Sequence, residues 1–188
     1  MRSRRDSQAT RRAAAVSEDA LESQESPGAP AEALTHVDAS GKAAMVDVSA
    51  KPETLRRAVA RGHIRMKLET AALIGAGRVA KGSVLTVARV AGVMAAKKCP
   101  ELIPLAHPLL LTDIQVELEL LDDRVEIEAV VCADWKTGVE MEALAAVTVA
   151  ALTVYDMCKA VDRTMVIEAI RVIHKSGGKT TVDQDPLE

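Results

Sequence analysis

One apolar stretch constrains the fold of this chain more than any other. From Lys136 it reads Lys-Thr-Gly-Val-Glu-Met-Glu-Ala-Leu, runs on as Ala-Ala-Val-Thr-Val-Ala-Ala-Leu-Thr-Val, and reaches Tyr155-Asp156-Met157-Cys158-Lys159. A helix that is hydrophobic nearly all round must be buried, so this segment is expected at the centre of the fold. Carboxylates and an ammonium on a buried helix are costly unless they are paired or used. Glu142, Asp156 and Lys159 therefore need an explanation, and a catalytic site is the leading one. Thr137-Gly-Val-Glu140 matches the capping box, with Thr137 as N-cap and Glu140 bonding back to its amide. Glu140 stays open between that structural role and a direct catalytic one. Capping does not account for Glu142.

Asp156 and Lys159 are three residues apart and share one helical face. An ordinary surface ion pair is one reading. Their neighbours Val154, Met157, Ala160 and Val161 instead favour a cavity wall. There desolvation and the carboxylate act on the ammonium in opposite directions, which is how a lysine is prepared as a proton donor. Glu142 and Asp156 are separated by 14 residues, roughly 21 Å along the axis and only about 40° in azimuth. One helix cannot bring both to the same reacting atom. Either the ligand is long, as a nucleoside triphosphate is, or the two ends belong to sites shared between subunits. Both options point to a homo-oligomer with interfacial sites.

The chain has 188 residues, 48% of them hydrophobic, enough for one domain and a tail. It contains no Phe, one Trp (Trp135) and one Tyr (Tyr155), so Ala, Val, Leu, Ile and Met must do the packing. That composition argues against aromatic platforms for single-stranded nucleic acid, and a net charge of −3 gives no electrostatic case for DNA or RNA. The longest unbroken apolar run is far short of a membrane span. Cys99, Cys132 and Cys158 are scattered, which fits neither a disulfide framework nor a zinc or iron–sulfur site. A reducing cytoplasm is the expected compartment.

Residues 1–33 read as a disordered polar tail: Arg-rich at the start, then acidic with Ser, Gln, Gly and Pro. No apolar run follows the arginines, so it is not a secretory signal, and Glu18, Asp19, Glu22 and Glu25 speak against a transit peptide. Order is expected over 34–180, with 181–188 a flexible end. Met45-Val-Asp-Val-Ser49 alternates like a strand, and Leu55 to Met66 also reads as strand. Helices are expected over Leu68 to Ile74, ending at Gly75-Ala-Gly77, and over Val84 to Lys98, closing before Pro100. Leu109 to Leu121 and Arg124 to Ala133 form a hairpin turning at Asp122-Asp123, and a last strand runs from Met165 to His174. This order predicts an α+β layer of helices on a largely antiparallel sheet. Glu117, Glu119, Glu126 and Glu128 fall at period two in the hairpin, as a solvated sheet face or a metal-binding carboxylate cluster.

Two cationic segments resemble phosphate loops and fail the test. Gly75 to Ser83 has the order Lys-Gly-Ser where Gly-Lys-Ser/Thr is required, and Gly177-Gly-Lys-Thr180 lacks the upstream Gly and a following helix. Lys81, just before a helix start, is either a solvated lysine or a phosphate contact. His107 sits between Pro104 and Pro108 on a stiff segment, as a structural histidine or as an anion contact or acid/base.

Together these segments carry a resemblance. Met45-Val-Asp-Val-Ser, Lys81-Gly, Ala95-Ala-Lys97-Lys, Leu102-Ile-Pro-Leu-Ala-His107-Pro-Leu, Lys136-Thr-Gly-Val-Glu-Met-Glu-Ala-Leu, Ala150-Ala-Leu-Thr-Val-Tyr-Asp-Met-Cys-Lys159-Ala and Lys175-Ser-Gly-Gly-Lys179 occur in order. The chain resembles the MoaC family, the cyclic pyranopterin monophosphate synthases of molybdenum cofactor biosynthesis, from about residue 34 to 180. The resemblance implies a ferredoxin-like α+β fold, an antiparallel sheet with helices on one face, in a homohexamer built as a trimer of dimers with interfacial sites. It implies a lyase without a cofactor or metal, which rearranges a cyclised dihydro-GTP with release of diphosphate. It places catalytic groups on Asp156, Lys159 and Lys81, and substrate contacts on Leu105, Ala106, His107, Met141, Glu142 and Glu140. Within that frame Lys159 is expected as general acid held by Asp156, Lys81 and His107 on the phosphates, and Glu142 orienting the base. A non-catalytic nucleotide- or pterin-binding oligomer is the alternative. The chain departs from the family pattern at Ala106, where many relatives carry Cys, at Asp134-Trp135, and at Gly-Gly-Lys-Thr180.

Overall fold

The computed structural model describes Lys42 and residues 45–184. The expected tail at 1–33 lies outside the described residues, as do 185–188 of the expected flexible end, whose other half includes the two-residue strand Val182–Asp183. In chain order the elements are β1 (Thr54–Arg65), α1 (Leu68–Gly75), α2 (Val84–Lys97), α3 (Cys99–Leu102), β2 (Leu111–Leu120), β3 (Arg124–Trp135), α4 (Glu140–Cys158), β4 (Val166–Ser176) and β5 (Val182–Asp183). The strands form one sheet in the order β2-β3-β1-β4-β5, with every neighbouring pair antiparallel. This is the α+β, ferredoxin-like arrangement.

The periodic elements fall where the pattern put them. Along β3 the side chains of Val125, Ile127, Ala129, Val131 and Ala133 are buried while every second residue is not, the alternation of a half-buried strand. Beside it in β1, Ala58, Ala60 and Ile64 face the same core, in register with Val131, Ala129 and Val125. Helix α4 lies on this face. Ala143, Ala146, Val147, Ala150, Ala151 and Val154 are fully buried in the same cluster. Each buried valine there contributes about 1.5–3 kcal/mol by leaving water.

The small-residue composition now has a consequence. Gly92 of α2 faces α4 so closely that an added Cβ would stand 3.0 Å from the Ala146 carbonyl oxygen and 3.4 Å from the Ala150 Cβ. In the sheet, a Cβ on Gly62 would meet Ile170 Cγ1 at 2.6 Å and Val147 Cγ1 at 3.1 Å. The core is thin because its side chains are short, and α4 sits close to both neighbours. By length and composition α4 could also cross a membrane, but half of its apolar stretch is buried inside the protein. Its packing against sheet and α2 accounts for that apolarity.

Two local expectations are corrected. Residues 45–48 form no strand. Alternation alone does not make one, and this segment has no ladder partner in the sheet. Thr137 does not cap α4: the N-cap position is Val139, without a side-chain cap bond, and the helix starts at Glu140. The Glu140 carboxylate is instead bound by Lys175 of β4 at 2.9 Å, a charged partner stronger than the amide of a capping box.

The opposite sheet face is ionic. Arg61 pairs with Glu128, Arg124 with Glu126 and Arg65 with Glu168, while Arg89 of α2 reaches Glu117. Among the described residues, no group of three or more His, Cys, Asp or Glu side chains could hold a metal ion. The glutamates of the hairpin are a charged sheet face.

Candidate active site

The predicted site residues gather at the two ends of α4. At its C-terminal end, Lys159 Nζ stands 2.7 Å from Asp156 Oδ1, and Lys81 Nζ stands 2.7 Å from Asp156 Oδ2. Lys81 also donates to the Asp156 backbone carbonyl at 2.8 Å. The turn before α2 places Lys81 here, with Gly82 at φ 95° letting the chain swing into the helix start. One carboxylate thus bridges the Lys159 ammonium from its own helix end and the Lys81 ammonium from 75 residues earlier in the chain. Hydrogen bonds from Lys159 and then Lys81 hold the Asp156 carboxyl at a pKa of about 2, so it is an anion throughout the neutral range.

The expected cavity wall is not what a single chain presents at these residues. The Asp156 side chain is 57% exposed and that of Lys159 53%. Val154, Met157 and Cys158 point into the core, which turns Asp156 outward, and Lys159 lies just past the last helical residue. Of the expected apolar neighbours, Val154 and Met157 belong to the core side of the helix, while Ala160 and Val161 lie exposed past its end.

At the N-terminal end of α4 a cavity of about 430 Å³ is lined by Leu105, Ala106, His107, Glu140, Met141 and Glu142, with Val46, Lys51 and Lys175 among its other walls. All six substrate contacts expected from the sequence thus meet in one place. Glu142 is 3% exposed. Burial pushes its carboxyl pKa up and Glu140 adds to this, while its own backbone N–H and the Cys99 thiol pull it down. His107 Nε2 is 3.0 Å from the Val46 carbonyl oxygen. Lys136 Nζ donates to the Ser49 carbonyl at 3.0 Å, so residues 46–49 are tied down beside the cavity. His107 and Lys81, expected together on the phosphates, are thus divided between the two ends.

A second cavity of about 330 Å³ adjoins the first, sharing Lys51, Glu140 and Lys175 with it. Its walls add Arg56, Arg57, Lys136 and Lys179. Six cations around one cavity fit a polyanion. Reasoning from sequence gave none of them a role, because they come from four separate segments. The one legible signal was the Lys175-Ser-Gly-Gly-Lys179 string. Its Gly177, at φ 92°, has no room for a side chain, since a Cβ would stand 1.8 Å from the Leu55 carbonyl oxygen. The chain end is thereby folded against β1, bringing Lys179 to the cavity. Trp135 closes β3 opposite Thr54 and packs on the core, so the bulky departure from the family pattern is absorbed as a strand end.

The MoaC family model matches residues 45–178, the span that contains both ends of the site. The chain belongs to the MoaC family. Among its relatives is a protein of Pelotomaculum thermopropionicum named cyclic pyranopterin monophosphate synthase. It is 62% identical over 151 residues, covering 79% of this chain and 89% of the relative. Proteins of the same name from a Roseiflexus species and from Thermomicrobium roseum are 60% and 59% identical over 149 residues, 78% of this chain and 94% and 90% of theirs. The similarity thus covers most of each of these relatives, and the family match leaves the first 44 residues of this chain outside it.

Proposed function

We propose that the chain acts as a cyclic pyranopterin monophosphate synthase, a phosphorus–oxygen lyase of molybdenum cofactor biosynthesis. Its substrate is (8S)-3',8-cyclo-7,8-dihydroguanosine 5'-triphosphate, and its products are cyclic pyranopterin monophosphate and diphosphate. One observation carries this reading: Lys81, distant in sequence from Asp156 and Lys159, meets them in one hydrogen-bonded cluster. Opening the imidazole portion, closing the pterin ring and forming the cyclic phosphate are proton transfers and a displacement. They call for general acids, bases and cations.

Lys159 serves as general acid, with Asp156 fixing its ammonium in place. Lys81, on the other oxygen of the same carboxylate, supplies a second positive charge where negative charge develops. The triphosphate lies along the cavity of Lys51, Arg56, Arg57, Lys136, Lys175 and Lys179. Glu142, at the floor of the adjoining cavity, accepts the N–H groups of the base. His107 donates through Nε2 to the Val46 carbonyl; in its neutral form Nδ1 is then an acceptor, so this ring receives a proton donor of the ligand and leaves the phosphates to the cations. The roughly 21 Å between Glu142 and Asp156 is met by sharing: the N-terminal cavity of one protomer faces the lysine cluster of another, in a homohexamer arranged as a trimer of dimers. The enzyme is placed in the cytoplasm with its small-molecule substrate.

The test is direct. Purified protein is incubated with the cyclised GTP intermediate, and the oxidised pterin is read by fluorescence alongside released diphosphate. Both products are expected. Binding of the intermediate without either product, in an intact oligomer, would establish the non-catalytic nucleotide- or pterin-binding protein instead.

A further inference from the structure

The six cations of the second cavity are not equivalent, because three are already engaged. Lys175 is paired with Glu140 at 2.9 Å. Arg56 donates through Nε to the Trp135 carbonyl at 3.0 Å and through a terminal nitrogen to the Lys136 carbonyl at 3.1 Å. Lys136 in turn donates from Nζ to the Ser49 carbonyl at 3.0 Å, across 87 residues of sequence. A guanidinium near the start of β1 thus fixes the main chain of Lys136, and the Lys136 ammonium fixes the main chain of Ser49.

What that last bond holds is a segment outside the sheet. Residues 45–48 join no strand. The turn that follows closes on itself, with the Ser49 N–H donating to Asp47 Oδ1 at 2.9 Å and the Lys51 N–H to the Val48 carbonyl at 3.0 Å. Two side chains from the body of the fold hydrogen-bond it: His107 at the Val46 carbonyl, and Lys136 at the Ser49 carbonyl. Val46 and Val48 line the first cavity, and Lys51 lines both. A solvent-facing turn without a ladder opens at little cost unless something ties it down.

We propose that Lys136 is a positioning residue for the reaction: its ammonium clasps residues 45–51 through the Ser49 carbonyl and so sets the Lys51 ammonium at the junction of the two cavities, where it meets the triphosphate. This inference rests on the synthase reading and separates Lys136, which places a cation, from Lys51, which uses its charge on the substrate. The ammonium suits the task. A charged donor on a carbonyl is stronger than a neutral one, and Lys136 is half-buried with its own carbonyl anchored by Arg56. The clasp is therefore held at its root as well as at its tip.

The experiment compares the full-length wild type with Lys136→Met, which keeps the stem and removes the donor, and with Lys136→Arg, which keeps a donor. Amide hydrogen exchange over peptides spanning 45–51 is followed by mass spectrometry without substrate. Lys136→Met should exchange about 10-fold faster there, and Lys136→Arg should return toward wild type. Affinity for the cyclised intermediate, measured by calorimetry, should fall about 5- to 30-fold in Lys136→Met. Turnover at saturating substrate should stay within about threefold, because the Lys81–Asp156–Lys159 cluster is untouched. In a Lys51→Met background, adding Lys136→Met should weaken binding by no more than about twofold further, since the group it acts through is gone. The proposal is overturned if exchange over 45–51 is unchanged in Lys136→Met, or if the two single losses multiply, which would make Lys136 a phosphate contact in its own right. Should Lys136→Met not fold, Lys136→Gln makes the same comparison. A wild type that binds the intermediate and shows the clasp but forms no pterin sinks the synthase reading and leaves the Lys136–Ser49 tie standing.

Discussion

Asp156 has become the hinge of the residue-scale argument. From the sequence it was the partner of Lys159 alone; in the structure its two oxygens are divided between Lys159 and Lys81. An Asp156→Asn variant keeps the shape and removes the charge that fixes both lysines. We expect kcat to fall by about 10²- to 10⁴-fold in Asp156→Asn and in Lys159→Ala, while the affinity for the cyclised intermediate, measured by calorimetry, changes little. A second aspartate, which the sequence did not bring to notice, matters for stability. Asp162 is 1% exposed, and its oxygens accept from the Lys67 N–H, the Thr70 hydroxyl, and the Thr164 N–H and hydroxyl. Burial alone would raise its pKa, but these bonds outweigh burial and lower it to about 2. A depressed folded-state value means a contribution present above the unfolded value of 3.8 and lost as pH falls through about 2. Asp162→Asn should cost about 2–4 kcal/mol at neutral pH. Its acid-unfolding curve should also lose part of the steepness that the wild type shows below pH 4.

Among the elements, legibility followed period and partner. Strands β2 and β3 and helices α1 and α2 were readable because burial alternates in twos along most of those strands and recurs in threes and fours along the helices, an alternation that β1 and β4 do not keep. The failures have physical causes. The segment 45–48 alternates but has no strand beside it, and a ladder needs two sides. Thr137 through Glu140 spells a capping box, yet Lys175, 35 residues further on, takes the Glu140 carboxylate; no local pattern announces a competitor from another strand. The two-residue β5 is too short to carry a period. The close seating of α4 was visible only as composition, the absence of Phe and the abundance of Ala. It gives a test at this scale. Gly62→Ala drives a methyl against Ile170 and Val147, and overpacking of this kind costs about 1–3 kcal/mol. Thermal unfolding should show Tm lowered by about 2–4 °C for each kcal/mol, with the sheet content unchanged by circular dichroism.

For the whole molecule, the 14-residue separation of Glu142 and Asp156 was the most useful thing the sequence held. That spacing divides the site in two, and the structure keeps the two groups apart within one chain. The cations that surround the second cavity were not legible, because Lys51, Arg56, Lys136 and Lys175 converge only when β1, β4 and the loop before α4 come together. A shared site makes a sharp prediction. Glu142→Gln and Lys159→Ala should each be nearly inactive, yet subunits carrying one or the other, unfolded and reassembled together, should regain a sizeable fraction of wild-type turnover. Mixed oligomers as dead as their parents would mean that each chain works alone.

The Lys81 ammonium has a mechanical meaning as well as a chemical one. By holding both the main-chain oxygen and the side chain of Asp156, it fastens the turn ahead of α2 to the last turn of α4. A displacement of either is carried to the other. The two lysines therefore travel as a single rigid jaw, and an alanine at 81 would loosen the grip on Lys159 as well as remove a charge. A scan by single alanines will credit Lys81 with part of what Lys159 does.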